Sequence, residues 1–210
     1  MKQPRAVHPG EIRIIGGQWR RRRLVVPSVP EALSLRPTPD RVRETLFNWL
    51  GQDLTGWHCL DAFAGTGALG WEAASRGAAS VCLVEQSKAL VAHLQATQRT
   101  LQAQSVTVVR GDGLAQLRQR ATQPSLDLVF LDPPFDSDCY ALALSLAAAA
   151  LKPEGFIYLE ARQEWQDEGL NQALQSQHQA ADGAWRVLRH LKAGQVHAHL
   201  LQRARPAATP

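Results

Sequence analysis

Several absences narrow this 210-residue chain before any motif is read. No apolar run approaches the roughly 20 residues that a membrane-spanning helix needs. The first residues, Met1-Lys2-Gln3-Pro4-Arg5, lead into polar sequence without the apolar core of a signal peptide. Cysteine is scarce: Cys59, Cys82 and Cys139 stand far apart, with no C-x-x-C pair. That argues against a disulfide framework and a zinc site, and two of the three fall in apolar, strand-like runs, as buried reduced thiols do. No internal repeat is visible. A soluble, cytoplasmic protein without a metal is expected. Hydrophobic residues make up 45% of the chain, enough for a core, so a disordered chain is excluded as well.

Acidic residues are sparse at the front. Residues 1–50 hold 10 Lys and Arg against 4 Asp and Glu, whereas the remainder holds 13 against 15. A basic front on a near-neutral body suggests a docking surface for a polyanion, most simply nucleic acid. The basic residues concentrate in Arg20-Arg21-Arg22-Arg23. The β-like run 12–15, the turn signal Gly16-Gly17 and the extended run 19–26 predict a hairpin. On an extended strand these arginines point alternately to two faces. Trp19 beside them offers a plane on which a base could stack.

After a proline-rich loop, a helix is expected over 40–50, with Thr38 as its N-cap, Pro39 at N1 and Gly51 after its end. Val42, Leu46, Trp49 and Leu50 share one face by helical spacing. Arg41 is unusual in the first turn, because a cation there opposes the helix dipole; a functional anion nearby would explain it. From Trp57 the pattern alternates strand and helix. Strands are predicted at 58–63, 80–84, 106–110, 126–131 and 155–160. Helices are predicted at 68–76, 87–102, 114–120, 139–151 and about 165–176. Two closing strands, 185–191 and 195–201, flank the hairpin signal Lys192-Ala193-Gly194. Alternation of this kind implies α/β architecture with a doubly wound, mostly parallel sheet.

The chemistry concentrates at strand ends. Asp61-Ala62-Phe63-Ala64-Gly65-Thr66-Gly67-Ala68-Leu69-Gly70 satisfies G-x-G-x-x-G between a strand and a helix. Glycines there let the backbone turn tightly and approach a ligand. Glu85 closes the next strand, where a carboxylate can accept hydrogen bonds from a ribose. Asp112, within Gly111-Asp112-Gly113, follows the third and suits an adenine amine. These residues imply adenosine-type binding. Asp61 before the glycines would be unwelcome near a pyrophosphate, and so favours S-adenosylmethionine over a dinucleotide.

The second feature is Asp132-Pro133-Pro134-Phe135, just past the fourth predicted strand of the alternating region. Prolines cannot continue a ladder and hold the chain stiff. The Asp132 carboxylate and the Pro133 carbonyl can accept both hydrogens of an exocyclic amine. That directs the nitrogen lone pair at a methyl group and favours the developing positive charge. Phe135 can stack on the base.

Asp132–Phe135 resembles the [DNS]-P-P-[FYW] motif of class I methyltransferases that modify exocyclic or amide nitrogens. Residues 12–20, residues 35–50, the 61–70 loop and residues 130–135 together resemble the RsmD family of bacterial 16S rRNA guanine-N2 methyltransferases. The resemblance implies a class I S-adenosylmethionine-dependent, Rossmann-like fold with a seven-stranded sheet, an antiparallel closing hairpin and an N-terminal basic hairpin. It implies an extension over 1–30, a methyltransferase domain over 31–203 and a tail over 204–210. The implied reaction is methylation of N2 of guanine 966 in 16S rRNA, within the small subunit or its assembly intermediate. Carried over, Asp132, Pro133, Pro134 and Phe135 hold the base. Asp61, Phe63, Ala64, Gly65, Thr66, Gly67, Glu85, Asp112, Gly113, Thr38 and Arg41 hold S-adenosylmethionine. Trp19, Arg20, Arg21, Arg22, Arg23 and Arg36 grip RNA. The family commonly shows a small residue where this chain has Arg21. A monomer without metal or membrane attachment is expected. The residues themselves leave open another nucleic-acid or protein amino-methyltransferase, a dehydrogenase-like nucleotide binder and a non-catalytic RNA-binding assembly factor.

Overall fold

The computed structural model describes residues 10–27, 38–133, 139–176 and 183–204. Arg36, Pro134 and Phe135, three residues assigned to the site above, lie outside them.

The frame is a sheet whose central strands are apolar on both faces. In chain order the elements are β1 (Glu11–Arg13), β2 (Arg23–Val25), α1 (Asp40–Trp49), β3 (His58–Asp61), α2 (Ala68–Ser75), β4 (Ser80–Glu85), α3 (Lys88–Leu101) and β5 (Val106–Arg110). Then follow α4 (Gly113–Arg120), β6 (Leu126–Leu131), α5 (Tyr140–Ala150), β7 (Leu151–Ala161), α6 (Asp167–Gln175), β8 (Trp185–Ala193) and β9 (Val196–Arg203). Seven strands pair in the order β5-β4-β3-β6-β7-β9-β8; β3 to β7 are parallel, and β8 and β9 antiparallel.

Strand β6 shows why continuous apolar runs become central strands. Leu128 and Phe130 enter one core layer, whereas Leu126, Val129 and Leu131 enter the other. Such two-sided burial suits parallel sheets covered by helices. The first layer takes α1, α2, α3 and the β1–β2 hairpin; the second takes α4, α5 and α6. Helix α5 is almost wholly Ala and Leu and is buried on nearly every side, so it needs no amphipathic stripe.

Chain order runs outward from β3 through β4 to β5, and from β6 outward through β7. The direction therefore reverses between β3 and β6. That reversal opens a crevice at the carboxyl ends of the two strands, where open α/β sheets bind ligands.

Three expectations are corrected. Thr38 does not cap α1: Pro39 holds the N-cap position without a side-chain bond, and the buried Thr38 hydroxyl donates to Glu160 at 2.7 Å. Arg20 to Arg22 are not on a strand. They form a turn, with Arg21 at φ 69° and Arg22 N–H bonded to the Trp19 carbonyl, so their side chains do not alternate across a sheet. The first core strand ends at Asp61 rather than Phe63, because the glycine loop begins there.

The hairpin is tied to the body by charge. Glu72 is fully buried and accepts from the N–H groups of Ile15 and Gly16, from Arg43 Nη1 at 3.0 Å and from Arg76 Nε at 3.3 Å. Arg43, also buried, donates further to the carbonyls of Arg13 and Thr38 and to Asp40. A Cβ on Gly17 would lie 1.8 Å from the Ser75 carbonyl oxygen. Only a glycine lets the turn press this closely on the end of α2.

Candidate functional site

The loop after β3 turns on Gly65 (φ 52°) and Gly67 (φ 79°), and Gly67 is the left-handed N-cap of α2. The third glycine has a different task. A Cβ on Gly70 would meet the Leu83 side chain at 2.1 Å, so Gly70 lets α2 lie against β4. Its N–H donates to Asp61 Oδ2 at 3.2 Å. Ala64, Thr66 and Gly67 are buried, and Phe63 packs partly into the α4 side of the core.

Glu85 stands at the end of β4, beside that loop. Its two oxygens accept the N–H groups of Gly65 at 2.9 Å and Ser87 at 2.8 Å. Each carboxylate oxygen retains a lone pair, so a ribose diol could still be held. Asp112 caps α4 through Ala115 N–H at 2.8 Å and accepts Gln86 Nε2 at 2.8 Å. Gly113 permits a close crossing, because a Cβ there would lie 2.1 Å from the Ala62 carbonyl oxygen. Glycine loop, Glu85 and Asp112–Gly113 thus line one edge of the crevice.

The other side is acidic. Asp132 follows β6 directly and Pro133 is buried after it. Leu131 pairs with Leu159, so Asp132, just past β6, and Glu160 on β7 are the residues that follow this pair. Tyr158 OH donates to Glu160 Oε1 at 2.8 Å, the same oxygen that takes the Thr38 hydroxyl. Burial first, then Glu160 and Asp61, push the Asp132 carboxyl well above the usual range. Burial also raises Glu160, against the lowering by its hydroxyl partners Thr38 and Tyr158. Burial pushes Asp61 up to about 7, opposed by the Gly70 N–H and reinforced by Glu85. Tyr140, which opens α5, is pushed up to about 12 by burial and then by Asp132; its hydroxyl has no partner among the described residues. Such a rim favours cations and holds protons tightly.

Comparison with known proteins gives this site a context. The chain matches the family described as Conserved hypothetical protein 95 over residues 12–201. It is 42% identical over 205 residues to Ribosomal RNA small subunit methyltransferase D of Escherichia coli K12, covering 97% of this chain and 96% of that protein. The chain belongs to the RsmD family. It is a methyltransferase of that family, and the dehydrogenase reading falls away. The solved structure of Escherichia coli yhhF superposes with a TM-score of 0.71 at 37% identity, covering 92% of this chain and 98% of that one. The T. thermophilus 16S rRNA N2 methyltransferase RsmC, solved with AdoMet and guanosine, shares the fold: TM-score 0.68, 24% identity, 94% of this chain and 50% of that one.

The structure puts Asp61, Phe63–Gly67, Glu85, Asp112, Gly113, Asp132 and Pro133 at the carboxyl ends of β3, β4, β5 and β6, and Thr38 against Glu160 near the end of β7. Arg41 is exposed on α1. Trp19 is half-buried and packs partly against the core. Arg20, Arg21 and Arg22 are exposed on the turn, and Arg23 is exposed at the start of β2, bonded to Glu11 at 3.0 Å. Sequence reading missed Glu160, Tyr158 and Tyr140. The one available signal for Glu160 was a carboxylate closing an apolar strand, as Asp61 and Glu85 do. A separate trio, His190, His197 and His199, brings its ring nitrogens within 4.8 Å of one another. His190 Nε2 and His197 Nδ1 share a hydrogen bond of 2.9 Å, and His199 accepts the Trp165 N–H at 3.0 Å. These nitrogens are engaged with each other and with backbone.

Proposed function

We propose that this chain transfers the methyl group of S-adenosylmethionine to N2 of guanine 966 in 16S rRNA, in the small ribosomal subunit or its assembly intermediate. Membership of the RsmD family supports the substrate class. The observation that carries the chemistry is the position of Asp132 and Pro133 at the β3–β6 reversal, beside the glycine loop.

The residues at these strand ends suit the cofactor. Glu85 keeps lone pairs for a ribose diol, and Asp61, just before the glycine loop, suits the ammonium of the amino-acid end. When bound, the cofactor supplies a methyl group on positively charged sulfur. The protein's part is to orient the acceptor. Asp132 and the Pro133 carbonyl accept the two amine hydrogens, which turns the nitrogen lone pair outward. Orientation of this kind supplies several kcal/mol in favourable cases. As the nitrogen becomes positive, the carboxylate stabilises it. The proton that the nitrogen then sheds can pass to Asp132, whose half-buried, acid-flanked carboxyl holds protons well. The Arg20–Arg22 turn supplies phosphate contacts outside the crevice.

The test is incubation of the protein with labelled S-adenosylmethionine and undermethylated small subunits, followed by nucleoside analysis. Label in N2-methylguanosine at one rRNA position is the expected result. A folded, cofactor-binding protein that leaves rRNA unlabelled would falsify this reading.

A further inference from the structure

Asp132 and Pro133 can hold any exocyclic amine, so they do not choose the base. A second carboxylate in the same place has no task yet. Glu160 is only 3% exposed, and it follows Leu159, the register partner of the Leu131 that precedes Asp132. Burying two carboxyl groups side by side is costly unless something positive or protic is held between them. Thr38 and Tyr158 both donate to Oε1, at 2.7 Å and 2.8 Å. Two donors on one oxygen fix the plane of the group, and Oε2 takes neither of these bonds. An acceptor needed only for those hydroxyls could be a neutral amide.

The bases differ next to their amines. In guanine the 2-amino group is flanked by N1–H, a donor. In adenine the 6-amino group is flanked by N1, a lone pair. A carboxylate beside the amine-binding pair therefore welcomes one edge and repels the other. We propose that Glu160 is the specificity-determining residue: its carboxylate accepts guanine N1–H while Asp132 and the Pro133 carbonyl hold the 2-amino group. Thr38 and Tyr158 are positioning residues that aim it. The assignment rests on the guanine-N2 reading above and adds the selection that reading lacks. A site that hydrogen-bonds a substrate N–H rejects the analogue lacking it far more strongly than a shape-only pocket does.

The probe is 2-aminopurine, which keeps the 2-amino group but carries a lone pair at N1. Small subunits are reconstituted with rRNA that bears either guanine or 2-aminopurine at the position the wild-type protein methylates. Wild type is expected to prefer guanine by about a hundredfold or more in kcat/KM. Glu160→Gln, whose amide can donate to the N1 lone pair, is expected to shrink that preference by about tenfold or more. Its S-adenosylmethionine Kd should stay within about twofold of wild type. Equal use of both bases by wild type, or a preference unchanged in E160Q, overturns the assignment. Should E160Q fail to fold, Tyr158→Phe removes one of the two hydroxyls on Oε1 and is read by the same ratio: a smaller preference supports the assignment, an unchanged one overturns it. Absence of guanine methylation by wild type on any subunit instead overturns the proposed function itself.

Discussion

Asp132 and Asp61 are both acidic, both at strand ends, and differ in what surrounds them. Asp132 is half-buried, and its carboxyl is positioned to take an amine. Asp132→Ala should lower kcat by roughly a hundred- to a thousandfold, the cost of losing one preorganised charge-stabilising partner. Cofactor Kd should hold within about twofold, because none of the glycine-loop contacts changes. Surviving turnover would remove Asp132 from the mechanism. Asp61 is buried against Gly70 N–H, and its pKa of about 7 in the folded chain exceeds the ordinary Asp value of about 3.9. The folded state therefore binds this proton more tightly than the unfolded state. The stabilisation is complete below about pH 4 and is lost as pH rises through about 7. In cofactor-free protein, Asp61→Asn should flatten the fall of Tm across that window. Parallel Tm profiles for the two proteins would contradict the assignment. Asp61 and Asp132 were legible in the sequence because a lone acid ending an apolar run is conspicuous. Glu160 ends one too, but its worth comes from Thr38, 122 positions earlier.

At the scale of elements, the N-terminal hairpin departs most from its sequence pattern. A run of basic and apolar residues reads as an extended strand, yet Arg20 to Arg22 turn. Ile14 N–H bonds to the Arg22 carbonyl and Arg21 N–H to the Ile14 carbonyl, which folds the run back on itself. Arg21 pays for this with a left-handed backbone that costs a non-glycine residue about 1 kcal/mol. Arg21→Gly therefore separates charge from geometry. Its Tm should match or exceed that of wild type. If the turn contacts rRNA phosphate, its binding to small subunits should show a log K against log salt slope shallower by about 0.7 to 0.9. An unchanged slope would place the RNA surface elsewhere. Helices α3 and α4, by contrast, announce themselves locally: Ser87 caps one and Asp112 the other. Such caps are worth about 1 kcal/mol each and need only neighbours in sequence.

For the molecule as a whole, the hairpin and the body share one core. Ile12, Ile14 and Leu24 sit in the same layer as α1 and α2. The Ile15 and Gly16 N–H groups complete the shell of the buried Glu72. Deleting residues 1–27 would uncover that layer, take two N–H donors from the buried Glu72 and take the Arg13 carbonyl from Arg43. Leaving a buried polar group without its partner commonly costs about 1–3 kcal/mol, and more for a charged group. The truncated chain should thus lose several kcal/mol in denaturant unfolding or fail to fold. A truncated protein as stable as the full chain would make the hairpin a separable appendage.

The sequence by itself determined the alternation of strands and helices, the glycine loop, the acids at Asp61, Glu85, Asp112 and Asp132, and the family resemblance. Each of these is written in short-range order: apolar periodicity, turn residues and a compact motif. The tertiary structure decided what Thr38 bonds to, where the arginine turn points, how Arg43, Glu72 and Arg76 share their charge, and that Glu160 stands beside Asp132. The contacts of Arg43 with Glu72 and of Thr38 with Glu160 join residues 29 and 122 positions apart in chain order. Local propensity cannot see across such gaps, because the strand order and register that close them arise only when the sheet assembles.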